Sequence, residues 1–395
     1  WKTSIIGDIA TFSKGRGYSK SDLRSEGNPI VLYGRLYTNY SSVIESVDTF
    51  ASLQNGSVLT KGNEVIIPGS GETPEDIAVA SAVEQKGVIL GGDLNVLTFD
   101  QEKISPAFAA MSITYSNTHN ELSGYAQGKT VVHLHNSSIS KGHISYPYID
   151  EQQSISTYFQ HLDSLIQSTT KKIESLKQVK AASLQSMFPQ EGETTPRVRF
   201  KGFEGEWEKK TLGDCLTINN ERNQSNVYGI NDVLSVSDEV GVVNQIKLLG
   251  RSYAGKSVVN YRVLKTNQIV YTKSPLKSKP YGIIKVNKGD IGIVSVLYAV
   301  YDANENVYPD YIHYYFEPIH RINNYLLPLI NKGAKNTMNI SDEMALTGKI
   351  WIPSLEEQKK IADFLQALDS QITLQTLRLE KLKQIKAACL DNMFV

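Results

Sequence analysis

"EQQSISTYFQHLDSLIQSTTKKIESLKQVKAASLQSMF" runs from Glu151 to Phe188, and "EQKKIADFLQALDSQITLQTLRLEKLKQIKAACLDNMF" runs from Glu357 to Phe394. The offset is 357 − 151 = 206 residues, and about half of the aligned positions are identical. The same offset pairs Trp1 with Trp207, Gly7–Asp8 with Gly213–Asp214, Arg16 with Arg222, Lys129 with Lys335 and Pro147 with Pro353. One register that serves both ends of each half marks a tandem duplication. Each half is a variable globular part followed by a similar long segment.

The repeated segments read as long helices. Ile155, Phe159, Leu162, Ile166, Ile173 and Leu176 follow a 4-3-4-7-3 spacing, and Ile361, Leu365, Leu368, Ile372, Leu379 and Leu382 match them. This is heptad spacing, which gathers the apolar residues on one seam. Pro147 and Pro353 stand just ahead, where proline is tolerated at a helix start, and Pro189 stops the first helix. About 38 residues at 1.5 Å each make a rod of about 57 Å. A rod with one apolar seam needs a partner, and the other copy is the obvious one.

Between the copies, "PQEGETTPRVRFKGFEGE" (189–206) is rich in Gly, Pro and Thr and aperiodic, so it reads as a linker. The globular parts contain β-branched and aromatic runs such as "GNEVIIPGS", "KGVILGGDLNVLTF", "NQIVYT" and "GIVSVLYAVY", bounded by turn residues. Short helices are expected around "ISPAFAAMSITYS" and "INNYLLPLINKG". The fold class is therefore α+β. The expected organisation is a globular domain at 1–146, a long helix at 147–188, a linker at 189–206, a second globular domain at 207–350 and a second long helix at 351–395.

Composition excludes several classes. The 395 residues carry 41 basic and 41 acidic side chains, so a nucleic-acid footprint must be local. The two cysteines, Cys215 and Cys389, rule out a disulfide framework, and a cytoplasmic location is the simple reading. No apolar run approaches the roughly 18 residues of a membrane helix. The chain opens at Trp1 rather than Met, so residues upstream of it are expected.

"GRSYAGKS" (250–257) fits the phosphate-loop pattern G-x-x-x-x-G-K-[ST]. A working loop follows a strand and opens a helix, whose free N–H groups hold the phosphates. Here "VVNYRVLKTNQIVYTK" follows, which is strand-like, so a turn leading into a strand is the better reading. The charge pattern around it is more informative. Val240 to Gly289 contains no acid, yet holds Lys247, Lys256, Lys265, Lys273, Lys277, Lys279, Lys285, Lys288, Arg251 and Arg262, with Tyr253, Tyr261, Tyr271 and Tyr281 interleaved. Cations bind phosphates and aromatic or hydroxyl groups reach bases, so this stretch favours nucleic acid over a merely solvated basic face. The first half differs. From Ser41 to Glu102 it has ten acids against Lys61 and Lys86, so a DNA face there must come from "SKGRGYSK" and "YGRLYTNY", with Arg16, Arg35, Tyr33 and Tyr37 as candidates.

His119, His133 and His135 lack the partners of a zinc site. Asp76 with Glu84-x-Lys86 only superficially suggests a nuclease, and no hydrolase nucleophile elbow or amino-methyltransferase motif occurs. No catalytic or metal-ligating residue is assigned.

The architecture resembles the specificity subunit of type I restriction–modification systems. "YPYIDEQQSI" and "IPSLEEQKKI" are similar to that family's Pro-x-x-x-Glu-Gln helix entry. "LKQVKAASLQSMFP", "LKQIKAACLDNMF" and "TPRVRFKGFEGEWEKKTLGD" resemble its helix ends and connector. "DVLSVSDEVGVV", "VYTKSPLKSKPYGIIK", "GIVSVLYAVY", "PGSGETPEDIAVASAV" and "LGGDLNVLTF" look like its target-recognition domains. The resemblance implies two target-recognition domains, each reading half of a bipartite, asymmetric double-stranded DNA site. It implies two antiparallel helices forming a coiled-coil spacer, two docked methyltransferase (modification) subunits, and restriction/translocase subunits. S-adenosylmethionine, ATP and magnesium would belong to those partners, with no cofactor and no catalysis on this chain. The DNA contacts expected in the second domain are Lys256, Ser257, Asn260, Tyr261, Lys273, Ser274, Lys277, Lys279 and Tyr281. In the first they are Arg16, Tyr33, Arg35, Ser70, Glu72 and Thr73. Lys129 and Lys335 are expected at phosphates, and Glu72 is a candidate acceptor from a cytosine amino group. A coiled-coil adaptor that binds protein, or an ATPase using Lys256, are the alternatives.

Overall fold

The computed structural model describes residues 1–255, 257–276, 279–332 and 338–394. The chain forms two compact units. One comprises Trp1–Lys171 with Leu377–Val395, and the other Lys172–Thr376. The long helices, Ile149–Ser186 and Leu355–Met393, are thus each divided between the units.

In the first unit a five-stranded sheet has the order Ala10–Lys14, Leu94–Phe99, Glu64–Pro68, Ser81–Val83, Val43–Ile44. Its two central long strands, Leu94–Phe99 and Glu64–Pro68, are almost wholly buried because both faces are covered. Glu64–Pro68 is buried throughout, under the helix Pro106–Tyr115 on one side and a second five-stranded sheet's cluster around Val31, Leu36 and Leu90 on the other. That helix starts as "SP" dictates. Ser105 caps it by accepting from the Phe108 N–H, and Pro106 fills the first turn.

The second unit repeats this plan. Its sheet runs Leu216–Ile218, Ala299–Ala303, Ile269–Tyr271, Ile284–Val286, antiparallel throughout where the first unit's edge strand Val43–Ile44 pairs in parallel, and is covered by the helices Pro309–Phe316 and Ile319–Leu326. The outer ladder keeps its register through the duplication. Lys2 faces Tyr146 in one unit, and Glu208 faces Ile352 in the other, each 206 residues on.

The long helices pair antiparallel within each unit, and the repeated residues are those that make the pairing. Lys386 reaches Asp163 at 2.5 Å in the first unit, while Lys180 reaches Asp369 at 2.6 Å in the second. The repeated Met-Phe ends are plugs. Phe394 packs edge-on to Trp1 with ring centres 6.3 Å apart, and Phe188 packs edge-on to Trp207 at the same 6.3 Å. All twelve heptad-seam residues are buried or half-buried.

The glutamine of each Glu-Gln pair explains the helix entry. Gln152 and Gln358 are both fully buried. Gln152 Nε2 donates to the carbonyls of Pro147 (2.9 Å) and Lys103 (2.8 Å), and its Oε1 accepts from the Ser105 N–H (2.9 Å). Gln358 does the same with Pro353 (3.0 Å), Asn306 (3.1 Å) and the Tyr308 N–H (2.9 Å). A buried amide has four bonding positions to satisfy, and here a loop, a proline carbonyl and a helix start satisfy three of them at once. The neighbouring acids diverge. Glu151 accepts from the Trp1 indole at 3.2 Å, whereas Glu357 is buried and takes the Arg199 guanidinium in two bonds of 2.6 and 2.7 Å.

Candidate nucleic-acid interface

In the first unit the short helix Arg35–Thr38 and the strand pair Ser70–Gly71/Val132–His133 frame an open cleft of about 1460 Å³. Tyr33, Arg35, Ser70 and Glu72 line it, together with Tyr37, Glu75, Asp76, Asp93 and Val131. Tyr33 and Tyr37 stand edge to face with centres 6.5 Å apart. Tyr37 donates to the Ser70 carbonyl at 2.7 Å, and the Ser70 hydroxyl meets His133 Nδ1 at 3.0 Å. Burial, Asp76 and Asp93 hold the Tyr37 hydroxyl well above the usual phenol range, so it stays a donor. Arg35 is ion-paired to Asp48. Thr73 faces the short helix Pro74–Ile77 as its cap, accepting from the Asp76 N–H at 3.1 Å. Arg16 lies outside the cleft, its N–H bonded to the Leu90 carbonyl, and Lys129 is exposed on the loop before Val132.

This cleft holds more carboxylates than cations: Asp48, Glu72, Glu75, Asp76 and Asp93 against Lys20 and Arg35. Such a surface repels phosphate. It offers acceptors, which suit the amino groups of cytosine and adenine in a major groove.

The second unit corrects the reading of the acid-free stretch. Six of its ten cations are ion-paired to four acids from elsewhere in the chain. Arg262 and Lys273 share Asp342, each at 2.6 Å. Lys279 and Lys285 share Asp238, at 2.8 and 3.4 Å. Lys265 pairs with Glu221 and Lys288 with Asp310, both at 2.6 Å. Lys279, expected at DNA, is only 3% exposed, and its ammonium also donates to the Glu317 carbonyl at 2.8 Å. It points into the unit, where the Asp238 carboxylate and the Glu317 backbone carbonyl take its ammonium. Burial raises the Asp238 carboxyl, but Lys279 and Lys285 more than offset this and leave it below the usual range. Lys273 is half-buried in its pair with Asp342 and has a left-handed backbone, φ +45°.

Ser257 and Asn260 are exposed, Tyr261 and Ser274 are half-buried, and the Tyr281 carbonyl accepts from the Tyr271 hydroxyl at 2.8 Å. Lys256, Lys277 and Lys335 lie outside the described residues. The phosphate-loop match falls on a helix followed by a strand, the reverse of the order that loop requires. Gly250 closes the helix Gln245–Leu249 in a left-handed conformation, and the chain then enters the strand Arg262–Leu264.

Two exposed cations escaped the candidate set. Lys247 and Arg251 form no ion pair among the described residues, and the Arg251 guanidinium lies 4.6 Å from the ring centre of Tyr253. The signal that could have found them is the glycine-terminated helix that displays them, "NQIKLLGRSY". Among the described residues no group of three or more His, Cys, Asp or Glu could hold a metal ion, and no helix is long and apolar enough to cross a membrane.

Comparison with known proteins finds similarity over both halves of the chain. Among solved structures, the type I restriction–modification S subunit from M. genitalium is 13% identical, with 100% of this chain and 96% of that one covered and a TM-score of 0.60. The HsdS subunit from Thermoanaerobacter tengcongensis is 16% identical over 100% and 96%, with a TM-score of 0.45. The model of the type I restriction modification DNA specificity domain matches twice, over 1–178 and 204–384. With one match on each half of the duplication, the chain belongs to the type I restriction–modification DNA specificity domain family.

Proposed function

We propose that this chain directs a restriction–modification complex to a bipartite, asymmetric site on double-stranded DNA, each unit reading one half-site. Membership of the family makes it a DNA sequence-specificity subunit without a catalytic centre of its own. The observation that supports the bipartite reading is the pairing of one frame with two unlike surfaces. The sheets, the outer ladders and the buried glutamines repeat, while the first unit offers an acceptor-rich cleft and the second exposes Lys247, Arg251 and Tyr253. Equal frames with unequal chemistry read unequal sequences. The two long helices, each shared by both units, act as the spacer that sets the gap between half-sites. Two methyltransferase subunits and the restriction/translocase subunits supply S-adenosylmethionine, ATP and magnesium chemistry.

The test is methylation-sensitive sequencing of DNA modified by this subunit together with its methyltransferase partner. Two unlike half-sites at a fixed gap are expected. A single continuous site, or a palindrome, would contradict the reading.

A further inference from the structure

We propose that Arg251, stacked on Tyr253, is the residue by which the second unit demands a guanine in its half-site. The inference rests on the DNA-recognition reading above and assigns one base contact within it.

The argument begins with local structure. Asn244 caps the helix Gln245–Leu249 by accepting from the N–H groups of Ile246 and Lys247, at 3.1 and 3.2 Å. Gly250 ends it at φ +75°, a conformation in which a side chain would be strained, with its N–H on the Ile246 carbonyl at 2.8 Å. Ser252 and Tyr253, which follow Arg251, are pinned from within. Gln245 Oε1 accepts from the Tyr253 N–H (2.7 Å) and the Ser252 hydroxyl (3.2 Å), and Gln245 Nε2 reaches Ser235 (3.2 Å). Beyond them, Val258 anchors the chain in a buried cluster with Val233, Val263 and Ile293. The loop is therefore held at both ends, yet Tyr253 is 61% exposed.

Chemistry then singles out Arg251. Every cation that the acid-free stretch places inward has a carboxylate partner. Arg251 instead lies over a phenol ring. Stacking of this kind orients the planar guanidinium while leaving its N–H edge free to donate. An exposed guanidinium over a ring, with no carboxylate partner among the described residues, presents two parallel donors that fit the O6 and N7 acceptors of guanine in the major groove. An ammonium such as that of Lys247 lacks the fork and suits phosphate.

The experiment uses the full chain assembled with its methyltransferase partner. Methylated sites are sequenced for the wild type and for Arg251→Gln, Arg251→Lys and Tyr253→Leu, and DNA binding is measured against salt. The wild-type pattern should require a guanine in one half-site. Arg251→Gln should relax that single position, lowering the preference for guanine about 5- to 150-fold, the range of one bidentate base contact. Arg251→Lys should relax it too, since charge without the fork does not restore reading. Tyr253→Leu should lose about 2- to 5-fold at the same position, the worth of an exposed cation–π contact. The other half-site stays unchanged in all three. If Arg251→Gln leaves both half-sites intact and only flattens the salt dependence, Arg251 touches phosphate and the inference falls, while the DNA-recognition reading survives. A wild-type site with no guanine contacted in either half-site would also overturn it. Absence of any sequence-specific methylation by the wild-type complex would sink both.

Discussion

Lys279 and Lys247 belong to the same acid-free stretch, and the structure gives them opposite surroundings, one paired inside the unit and one exposed. Lys279→Ala removes an ammonium whose side chain is 4% exposed and leaves Asp238 and the Glu317 carbonyl short of a donor. Breaking a buried ion pair costs about 3–5 kcal/mol. Asp238 keeps Lys285 at 3.4 Å, which places this loss near the lower end, about 3 kcal/mol. For a unit of roughly 200 residues that corresponds to a melting temperature about 6–12 °C lower. DNA affinity at a temperature where the unit is folded should keep its salt dependence. Lys247→Ala should do the reverse. It removes an exposed charge with no ion-pair partner among the described residues, so the melting temperature stays put. One lost phosphate contact lowers the salt slope by about 0.9, which is about 3.5-fold less weakening between 50 and 200 mM salt. The assays are calorimetric unfolding of the chain, and anisotropy of its methyltransferase complex on a site-containing duplex. A Lys279→Ala complex that kept its melting temperature but lost salt slope would refute the reasoning, because it would mean that the Asp238 pair opens to the DNA backbone.

Other outcomes follow from the frame. Phe394→Ala and Phe188→Ala each empty a ring from an aromatic core and should cost about 3–5 kcal/mol, read as a lower melting temperature of the first and second unit respectively. Gln358→Ala strands two carbonyls and the Tyr308 N–H in a dry site and should cost about 3 kcal/mol, with Gln152→Ala matching it in the first unit; urea unfolding would show a shifted midpoint. Asp238 sits below the usual carboxylate range when folded, so its contribution is present above about pH 4 and is lost as the pH falls through its folded value. Asp238→Asn should therefore lower the melting temperature at pH 7 and remove part of its fall toward pH 3. Four residues inserted after both Thr169 and Gln375 lengthen each helix by about 6 Å. The methylated half-sites should then keep their bases and move apart by about two base pairs, at 3.4 Å each; an unchanged gap would end the spacer idea.

The fold was legible where local pattern and tertiary need coincide. Heptad spacing states that a helix has one apolar seam, and "SP" at 105–106 states where another helix begins. The division of each long helix between two units was not legible. A seam says that a partner exists, but not which half of that partner faces it. The information sits in pairs such as Asp163 with Lys386, 223 residues apart, whose chemistry is ordinary until the structure joins them.

The acid-free stretch overstated the positive surface for one physical reason. A run without acids predicts a positive surface only if its cations cannot find acids farther along the chain. Here Asp342 lies 80 residues from Arg262 and 69 from Lys273, and Asp238 lies 41 from Lys279. Burying a lysine requires a carboxylate within reach, and a fold can deliver one from any distance in sequence. Net charge over a window therefore overstates the phosphate-binding surface wherever the window also supplies core strands. Arg262–Leu264, Ile269–Tyr271 and Ile284–Val286 are such strands, all buried, and they carry Arg262 and Lys285 inward or bracket the turn that carries Lys273 and Lys279. Lys247 and Arg251 escape because they precede the first of these strands, on a helix and loop with no core residue between Gln245 and Gly255. In a duplicated recognition subunit, the residues to suspect are those where the two copies share no frame contact and the chain has left the sheet. "QIKLLGRSYAG" (245–255) has left the sheet and holds no buried residue.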